Sequence, residues 1–137
     1  MEFQYRRKIN YYETDKMGIV HHSNYIRFLE ECRCEWMESI NLPLSVLEEN
    51  GVVIPTIEVN CKYKYPVTSG DIIIITPKLE DFNGVRMTVK YEVIEEKTKN
   101  VVIEAYTKHC FTNSILKPIN LKKYYIDYYN AFQSLMK

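Results

Sequence analysis

The sequence has no net charge, because its 18 lysine and arginine residues balance 18 aspartate and glutamate residues. A nucleic acid or an anionic membrane as the main partner favours a strong basic excess, so this balance argues against both. Long apolar runs are also missing. The run 71–76, with its four isoleucines, is far too short to cross a bilayer. Residues 1–20 contain no apolar signal-peptide core, so we expect a cytoplasmic protein.

Cysteine is scarce and irregularly spaced. The four cysteines are Cys32, Cys34, Cys61 and Cys110, and no two of them form a C-x-x-C pair. The spacing of a metal site is therefore missing, and we expect neither a metal nor a cofactor. The cysteines are interpreted as small buried apolar residues in a reducing compartment. Repeats, low-complexity runs and linkers are missing too, so we expect one domain over residues 1–137.

Two periodicities predict the secondary structure. Apolar residues recur at three- and four-residue spacing from 23 to 40, which predicts a long helix that Ser23 or Asn24 caps. Apolar and polar residues alternate over 57–65 and 85–93, as in strands with one face on a core. The full expected order is a strand over 3–12, a loop over 13–22, helices over 23–40 and 43–50, strands over 57–65, 71–79, 85–93 and 101–115, and an amphipathic C-terminal helix over 121–136.

These elements indicate an α+β fold, in which about five antiparallel strands curve around one long central helix. The C-terminal helix lies outside that core arrangement, with Leu121, Tyr124, Tyr128, Phe132 and Leu135 on its apolar side. A sheet of this kind leaves its outer face or its edge strands in need of cover. We therefore expect a homodimer or a homotetramer.

Chemistry is most plausible between residues 11 and 25. Asp15 lies in a loop that ends at the long helix, and a helix start presents unpaired N–H groups and a partial positive charge. A thioester carbonyl placed there would be polarised, while the carboxylate attacks it or activates water. His22 could donate a hydrogen bond, and Tyr11 could bond to the carboxylate or the substrate. The same pattern is also typical of a structural Asx turn and a surface histidine.

The segment Tyr-Tyr-Glu-Thr-Asp-Lys-Met-Gly-Ile-Val-His-His-Ser-Asn-Tyr, residues 11–25, resembles the signature of the 4-hydroxybenzoyl-CoA thioesterase-like hotdog family. The match is closest to its acyl-CoA thioesterase branch, which includes the thioesterase associated with the Tol-Pal system. Tyr65-Pro66 with Gly70-Asp71 resembles a later step of the family pattern, and 117–119 resembles its closing segment. The resemblance covers about residues 3–120 and implies the hotdog fold.

The resemblance also implies roles for individual residues. Asp15 matches the catalytic carboxylate, which is a nucleophile or a general base depending on the family member. His22 matches the catalytic histidine of the acyl-CoA branch, and the backbone N–H of His22 matches the hydrogen-bond donor to the oxyanion. Tyr11 matches a tyrosine that is implicated in the same branch. Gly18 keeps the loop tight near the thioester, and Tyr25 ends the signature, so both are assigned to substrate binding. Met17 and His21 depart from the family pattern, which bears on the shape of the acyl pocket.

Several basic residues lie on polar strand faces and could hold the phosphates of CoA. Arg86 and Lys90 are favoured because family members place phosphate contacts around this strand. For any single one of these residues, a solvated sheet face is the favoured interpretation. The other candidates are Lys62, Lys64 and Lys108.

The expected activity is hydrolysis of a short-chain or aromatic acyl-CoA, or of an acyl-ACP, to a free acid. Two alternatives belong to other classes: a non-catalytic hotdog module that binds acyl-CoA or serves as a scaffold dimer, and a hotdog dehydratase, whose motif is not found. A second type of hotdog thioesterase uses a glutamate on the central helix, for which Glu30 or Glu31 would be candidates. The residues leave open whether Asp15 is a nucleophile or a general base.

Overall fold

The computed structural model describes residues 2–136, and its elements follow the expected order. The strands are β1 Tyr5–Lys8, β2 Thr56–Tyr63, β3 Ile72–Phe82, β4 Arg86–Glu95 and β5 Val101–Cys110. The helices are α1 His22–Ser39, α2 Leu44–Glu49, α3 Leu121–Tyr124 and α4 Ile126–Ser134, with a 3₁₀ turn at Tyr11–Glu13. The predicted α+β class, with a long helix and a C-terminal helical segment, is confirmed.

The strands form one five-stranded sheet in the order β1-β3-β4-β5-β2. β1 pairs antiparallel with β3, and its register places Tyr5 opposite Ile75 and Lys8 opposite Ile72. Short turns join β3 to β4 and β4 to β5, as neighbouring antiparallel strands allow. β1 and β2 are therefore the two edge strands.

The described chain groups into two compact units. The first comprises the residues up to 36 together with 61–77 and 91–105, and the second comprises 37–60, 78–90 and the residues from 106 onward. In the first unit, Tyr25, Leu29 and Cys32 of α1 are buried, as the helical spacing predicted. Burial raises the pKa of the Cys32 thiol to about 12, so this cysteine behaves as a small apolar residue. The other three cysteines are only half-buried, so full burial is predicted correctly for Cys32 alone.

The second unit is built around three phenylalanines. Phe82, Phe111 and Phe132 have ring centroids 5.4–5.7 Å apart. The prediction of one continuous C-terminal helix is wrong, because the chain leaves helical geometry at Tyr125, with φ −141° and ψ 59°. That residue donates its hydroxyl to the carbonyl oxygen of Asn50 at 3.0 Å. As a result Tyr124 is exposed instead of sharing the buried side of Phe132.

Three strand predictions need correction. β1 ends at Lys8 instead of residue 12, because the chain turns at 10–13, where the Glu13 N–H donates to the Asn10 carbonyl. β5 ends at Cys110 instead of residue 115. β2 has the predicted alternation, but its apolar residues are not on a core: Ile57 is 47% exposed and Val59 is 37% exposed.

One guanidinium joins three elements of the first unit. Arg7 of β1 bonds both carboxylate oxygens of Glu13, at 2.5 and 2.6 Å, and reaches Glu31 of α1 at 2.7 Å. It also lies 4.1 Å from the centre of the Phe28 ring. Burial alone would favour neutral Glu13, but the bonds from Arg7 and from the Asn10 N–H outweigh it and lower the pKa of Glu13. Burial likewise opposes the charge of Arg7, and the two carboxylates more than compensate, raising its pKa.

We predict that this ion pair makes folding sensitive to acid. Since the pKa of Glu13 is lowered from 4.5 in the folded protein, its stabilising contribution is fully present above pH 4.5 and is lost as the pH falls through the lowered value. Glu13→Gln removes the charged hydrogen bonds between Glu13 and Arg7 and should cost about 2 kcal/mol at neutral pH. It should also lessen the fall in unfolding free energy as the pH drops from about 4.5 through the lowered pKa of Glu13. Urea unfolding across this range measures both effects.

The matched control is Glu96→Gln. This carboxylate pairs with Arg6, whose side chain is 62% exposed, so its loss should cost far less stability than the loss of the Glu13 carboxylate. If Glu13→Gln and the wild type lose stability equally on acidification, the assignment of the acid sensitivity to Glu13 is wrong.

Candidate active site

The loop 14–20 folds back on itself just before α1. Thr14 and Val20 form an antiparallel bridge, and the Asp15 N–H donates to the Ile19 carbonyl at 2.8 Å. The Gly18 N–H closes the turn by donating to the Asp15 carbonyl at 2.9 Å. Gly18 has φ +81°, a conformation that L side chains rarely adopt. The glycine of the signature is thus explained by the turn itself.

A second segment of the first unit holds this loop from the other side. Ile19 bridges Thr68, and the Val20 N–H donates to the Val67 carbonyl at 2.9 Å. The Thr68 hydroxyl donates to the Gly18 carbonyl at 2.8 Å. Asp71, the aspartate of the Gly-Asp step, accepts the Thr68 N–H at 2.9 Å. The loop is therefore fixed by backbone and side-chain bonds at both ends.

Asp15 combines a structural bond with an available oxygen. Its Oδ1 accepts the Met17 N–H at 2.8 Å, which is the Asx turn that the structural alternative expects. Its Oδ2 accepts no hydrogen bond from the described residues. The carboxylate is half-buried and lines a cleft. Turn formation and chemistry are compatible here, because they use different oxygens.

α1 begins at His22, and its cap differs from the prediction. His21 takes the capping position: its Nδ1 accepts the Ser23 N–H at 3.2 Å, and its carbonyl accepts the Asn24 N–H at 2.9 Å. Ser23 is therefore inside the helix, and the Asn24 side chain donates to the Glu13 carbonyl at 2.8 Å. The His22 N–H finds no acceptor among residues 2–136. An unpaired N–H at the start of an 18-residue helix is a good donor to an anion.

The cleft beside this helix start has a volume of about 320 Å³. Its walls are mostly aromatic and aliphatic, and all lie in the first unit: Asp15, Met17, Ile19, Val20, His22, Tyr25, Tyr63, Lys64, Tyr65 and Pro66. A cleft of this size is at the small end of ligand sites. It brings Asp15, His22 at the helix start and an apolar wall together.

Aromatic contacts hold the His22 side of the cleft. The His22 ring stacks on His21 at 4.2 Å and meets the Tyr63 ring edge-on at 6.3 Å. The Tyr63 hydroxyl reaches the His22 carbonyl at 3.4 Å, and the Tyr63 and Tyr25 rings lie 5.6 Å apart. Burial, followed by the proximity of Tyr63, raises the pKa of Tyr25. Tyr25 is therefore a neutral wall of the cleft at physiological pH.

The predicted site residues divide into two groups. Asp15, His22 and Tyr25 line the cleft, and Gly18 shapes the adjoining turn. Tyr11 is not in a strand: it begins the 3₁₀ turn, its side chain is 83% exposed, and it is not among the residues that line the cleft. Its catalytic role stays a prediction.

The basic residues also divide. Arg86 and Lys90 are exposed on β4, in the second unit, and neither is among the lining residues. Lys64 does line the cleft, and its ammonium lies 3.4 Å from Glu104.

Tyr63 lines the cleft as well, but the sequence did not identify it as a candidate site residue. Its position on the alternating face of β2, next to Lys64, was the signal that could have identified it.

Comparison with known proteins assigns the family. Residues 9–120 match the model of the thioesterase-like superfamily. An Aquifex aeolicus protein named "Putative esterase" is 38% identical over 114 residues, covering 83% of this chain and 88% of the relative. The Bacillus subtilis protein "Putative acyl-CoA thioesterase YneP" is 30% identical, covering 95% and 94%. The DHNA-CoA thioesterase structure from Staphylococcus aureus superposes with a TM-score of 0.89 at 25% identity, covering 96% of this chain and 88% of that one.

The chain belongs to the thioesterase-like superfamily. The predicted hotdog fold and the predicted class of thioester hydrolase are thereby confirmed. No helix described between residues 2 and 136 is long and apolar enough to span a membrane. Within the same residues, no group of three or more His, Cys, Asp or Glu side chains is arranged to hold a metal ion.

Proposed function

We propose that this protein hydrolyses an acyl-CoA to CoA and a carboxylic acid at the cleft beside the start of α1. The observation that carries the proposal is the joint presence, in one cleft, of the Asp15 carboxylate and of His22 with its unpaired N–H. The thioester carbonyl oxygen would accept that N–H. The negative charge that develops on the oxygen would then be stabilised by the N–H and by the partial charge of the helix start.

Asp15 supplies the carboxylate for either of two routes. As a nucleophile, its free oxygen attacks the carbonyl carbon, the C–S bond breaks, and CoA leaves as a thiolate; water then hydrolyses the mixed anhydride. As a general base, it takes a proton from water while that water attacks the carbonyl, and the proton passes to the departing sulfur. Both routes use the oxygen that the Asx turn leaves free.

A glutamate on α1 is a weaker candidate for this role. Glu31 is already bonded by Arg7 and by the Tyr5 hydroxyl, at 2.7 and 2.8 Å. Glu30 is exposed, and neither glutamate lines the cleft.

Tyr11 does not line the cleft either, so its proposed catalytic role gains no support from the lining residues. We expect Tyr11→Phe to change the activity only toward a substrate that extends from the cleft past the turn at Tyr11.

We propose a short-chain or aromatic acyl group, carried on CoA or on ACP. The size of the cleft and its tyrosine walls suit a compact or planar group, and the similar Staphylococcus aureus protein is a DHNA-CoA thioesterase. We propose that the chain belongs to the acyl-CoA thioesterase branch of the 4-hydroxybenzoyl-CoA thioesterase-like hotdog family, the branch that includes the Tol-Pal-associated enzyme. Lys64 joins Arg86 and Lys90 as a proposed phosphate contact, because it is the cationic side chain among the lining residues.

We also propose one hotdog domain over residues 1–137, in support of which the family match spans 9–120. A cytoplasmic location is proposed because all four cysteines are free thiols, as is usual in reducing compartments. The remaining alternative function is a non-catalytic module that binds acyl-CoA. It predicts binding without cleavage, whereas the proposed enzyme cleaves what it binds.

We predict that Asp15→Asn loses at least about 100-fold in kcat on every acyl-CoA that the wild type cleaves. The amide oxygen can still accept the Met17 N–H, so the turn and the fold should survive. Release of free thiol from a panel of short-chain, long-chain and aromatic acyl-CoAs measures the activity, and circular dichroism checks the fold. If the well-folded variant cleaves thioesters as fast as the wild type, or if the wild type cleaves none, the proposed function is wrong.

We propose that the protein self-associates, as a homodimer or homotetramer, through the edge strand β2. Its exposed Ile57 and Val59 would otherwise face water on an unpaired edge. Val59→Lys should therefore give smaller assemblies in sedimentation velocity. The control is Val46→Lys on α2, since Val46 is 38% exposed and Val59 is 37% exposed. Equal sedimentation of the two variants and the wild type would contradict an interface at β2.

A further inference from the structure

The start of α1 is fixed to the backbone of Glu13. The carbonyl oxygen of Glu13 accepts the His21 N–H at 2.9 Å and the Asn24 side-chain amide at 2.8 Å. These two donors flank His22 in the sequence, one immediately before it and one two residues after it. The position of the His22 N–H is therefore set by the position of the Glu13 carbonyl.

The side chain of Glu13 fixes that carbonyl in turn. Glu13 is 5% exposed, and its carboxylate accepts both arms of the Arg7 guanidinium and the Asn10 N–H, at 2.5, 2.6 and 2.8 Å. Arg7 is itself held by Glu31 at 2.7 Å and by the face of Phe28. A planar guanidinium held by two carboxylates leaves the side chain of Glu13 little rotational freedom. The turn at Glu13 is thus locked to β1 and to α1.

We infer that the Arg7–Glu13 ion pair positions the His22 N–H for the thioester carbonyl oxygen. Arg7, Glu13 and Asn24 are then positioning residues: they act on the reaction through the helix start and do not line the cleft. The inference rests on the proposed function, because the ion pair is inferred to position the oxyanion donor that the proposed function requires. A donor stabilises a developing oxyanion only when it is placed in advance, and a misplacement of about 1 Å can cost 100-fold in rate.

The adjacent arginine provides a matched control. Arg6 lies on the same strand and also forms two bonds with one carboxylate, that of Glu96, at 2.5 and 2.9 Å. Its side chain is largely exposed, and neither Arg6 nor Glu96 bonds the loop 14–20 or the start of α1. Arg6→Gln therefore removes a two-armed ion pair from the same strand without affecting the Glu13 carbonyl.

The first test compares the kinetics of Arg7→Gln and Arg6→Gln at a temperature at which circular dichroism shows both to be folded. Arg7→Gln should lower kcat by about 10- to 100-fold and change KM by less than about threefold. Arg6→Gln should keep both constants within about twofold of the wild type. A purely structural role of Arg7 would lower the stability of Arg7→Gln but would leave the kcat of the folded variant close to that of the wild type.

The second test observes the carbonyl itself. In an Asp15→Asn background, benzoyl-CoA labelled with carbon-13 at the thioester carbonyl stays intact, and its infrared carbonyl band reports polarisation. Binding should move the band to lower wavenumber. Adding Arg7→Gln should return the band toward its position in water, and adding Arg6→Gln should leave it shifted.

Asn24→Ala keeps the inference testable if Arg7→Gln does not fold. It removes one bond to the Glu13 carbonyl and leaves the buried ion pair intact. We expect a fall in kcat of about fivefold and a partial loss of the carbonyl shift.

The outcomes separate the two claims. If the wild type cleaves thioesters while the folded Arg7 or Asn24 variants keep its kcat and the full carbonyl shift, the positioning role is wrong and the proposed function stands. If the wild type cleaves no thioester, or Asp15→Asn alone shows no carbonyl shift, the proposed site is wrong and the inference falls with it.

Discussion

The structure around the candidate site depends on the buried carboxylate of Glu13. A carboxylate removed from water is costly unless it is paired and hydrogen-bonded. Arg7 satisfies this requirement with a two-armed bond and keeps a second bond to Glu31 on α1. Because the pair forms only when β1, the 3₁₀ turn and α1 are correctly placed, it selects one arrangement of the three elements. The accompanying backbone bonds then set where α1 begins.

The site follows from that arrangement. The helix starts at His22 with one N–H unpaired, and the preceding loop brings the carboxylate of Asp15 to the same cleft. The Asx bond to Met17 uses one carboxylate oxygen and leaves the other free. The structural and the chemical interpretations of Asp15, which compete at the level of sequence, therefore describe two oxygens of one side chain. The family match gives independent support for thioester chemistry.

Much of this could be predicted from local sequence. The spacing of Tyr25, Leu29 and Cys32 identified the buried side of α1, because a helix repeats every 3.6 residues whatever covers it. Features that depend on distant partners could not be predicted. The alternation in β2 predicts that one face of the strand is apolar. It does not predict what covers that face, and Val59 on it is exposed. Similarly, the cap at His21 is bonded to the Glu13 carbonyl, and the turn at Tyr11 is held by the Glu13 carboxylate and its partner on β1.

In the proposed mechanism, one cleft holds the thioester between the Asp15 carboxylate and the His22 N–H. The most direct measurement is a crystal structure of the Asp15→Asn variant with an uncleaved acyl-CoA that the wild type hydrolyses. We expect the thioester oxygen at about 3 Å from the His22 nitrogen, with the residue 15 amide facing the carbonyl carbon. A thioester bound outside this cleft, or inside it with its oxygen turned away from His22, would show that the proposed mechanism is wrong.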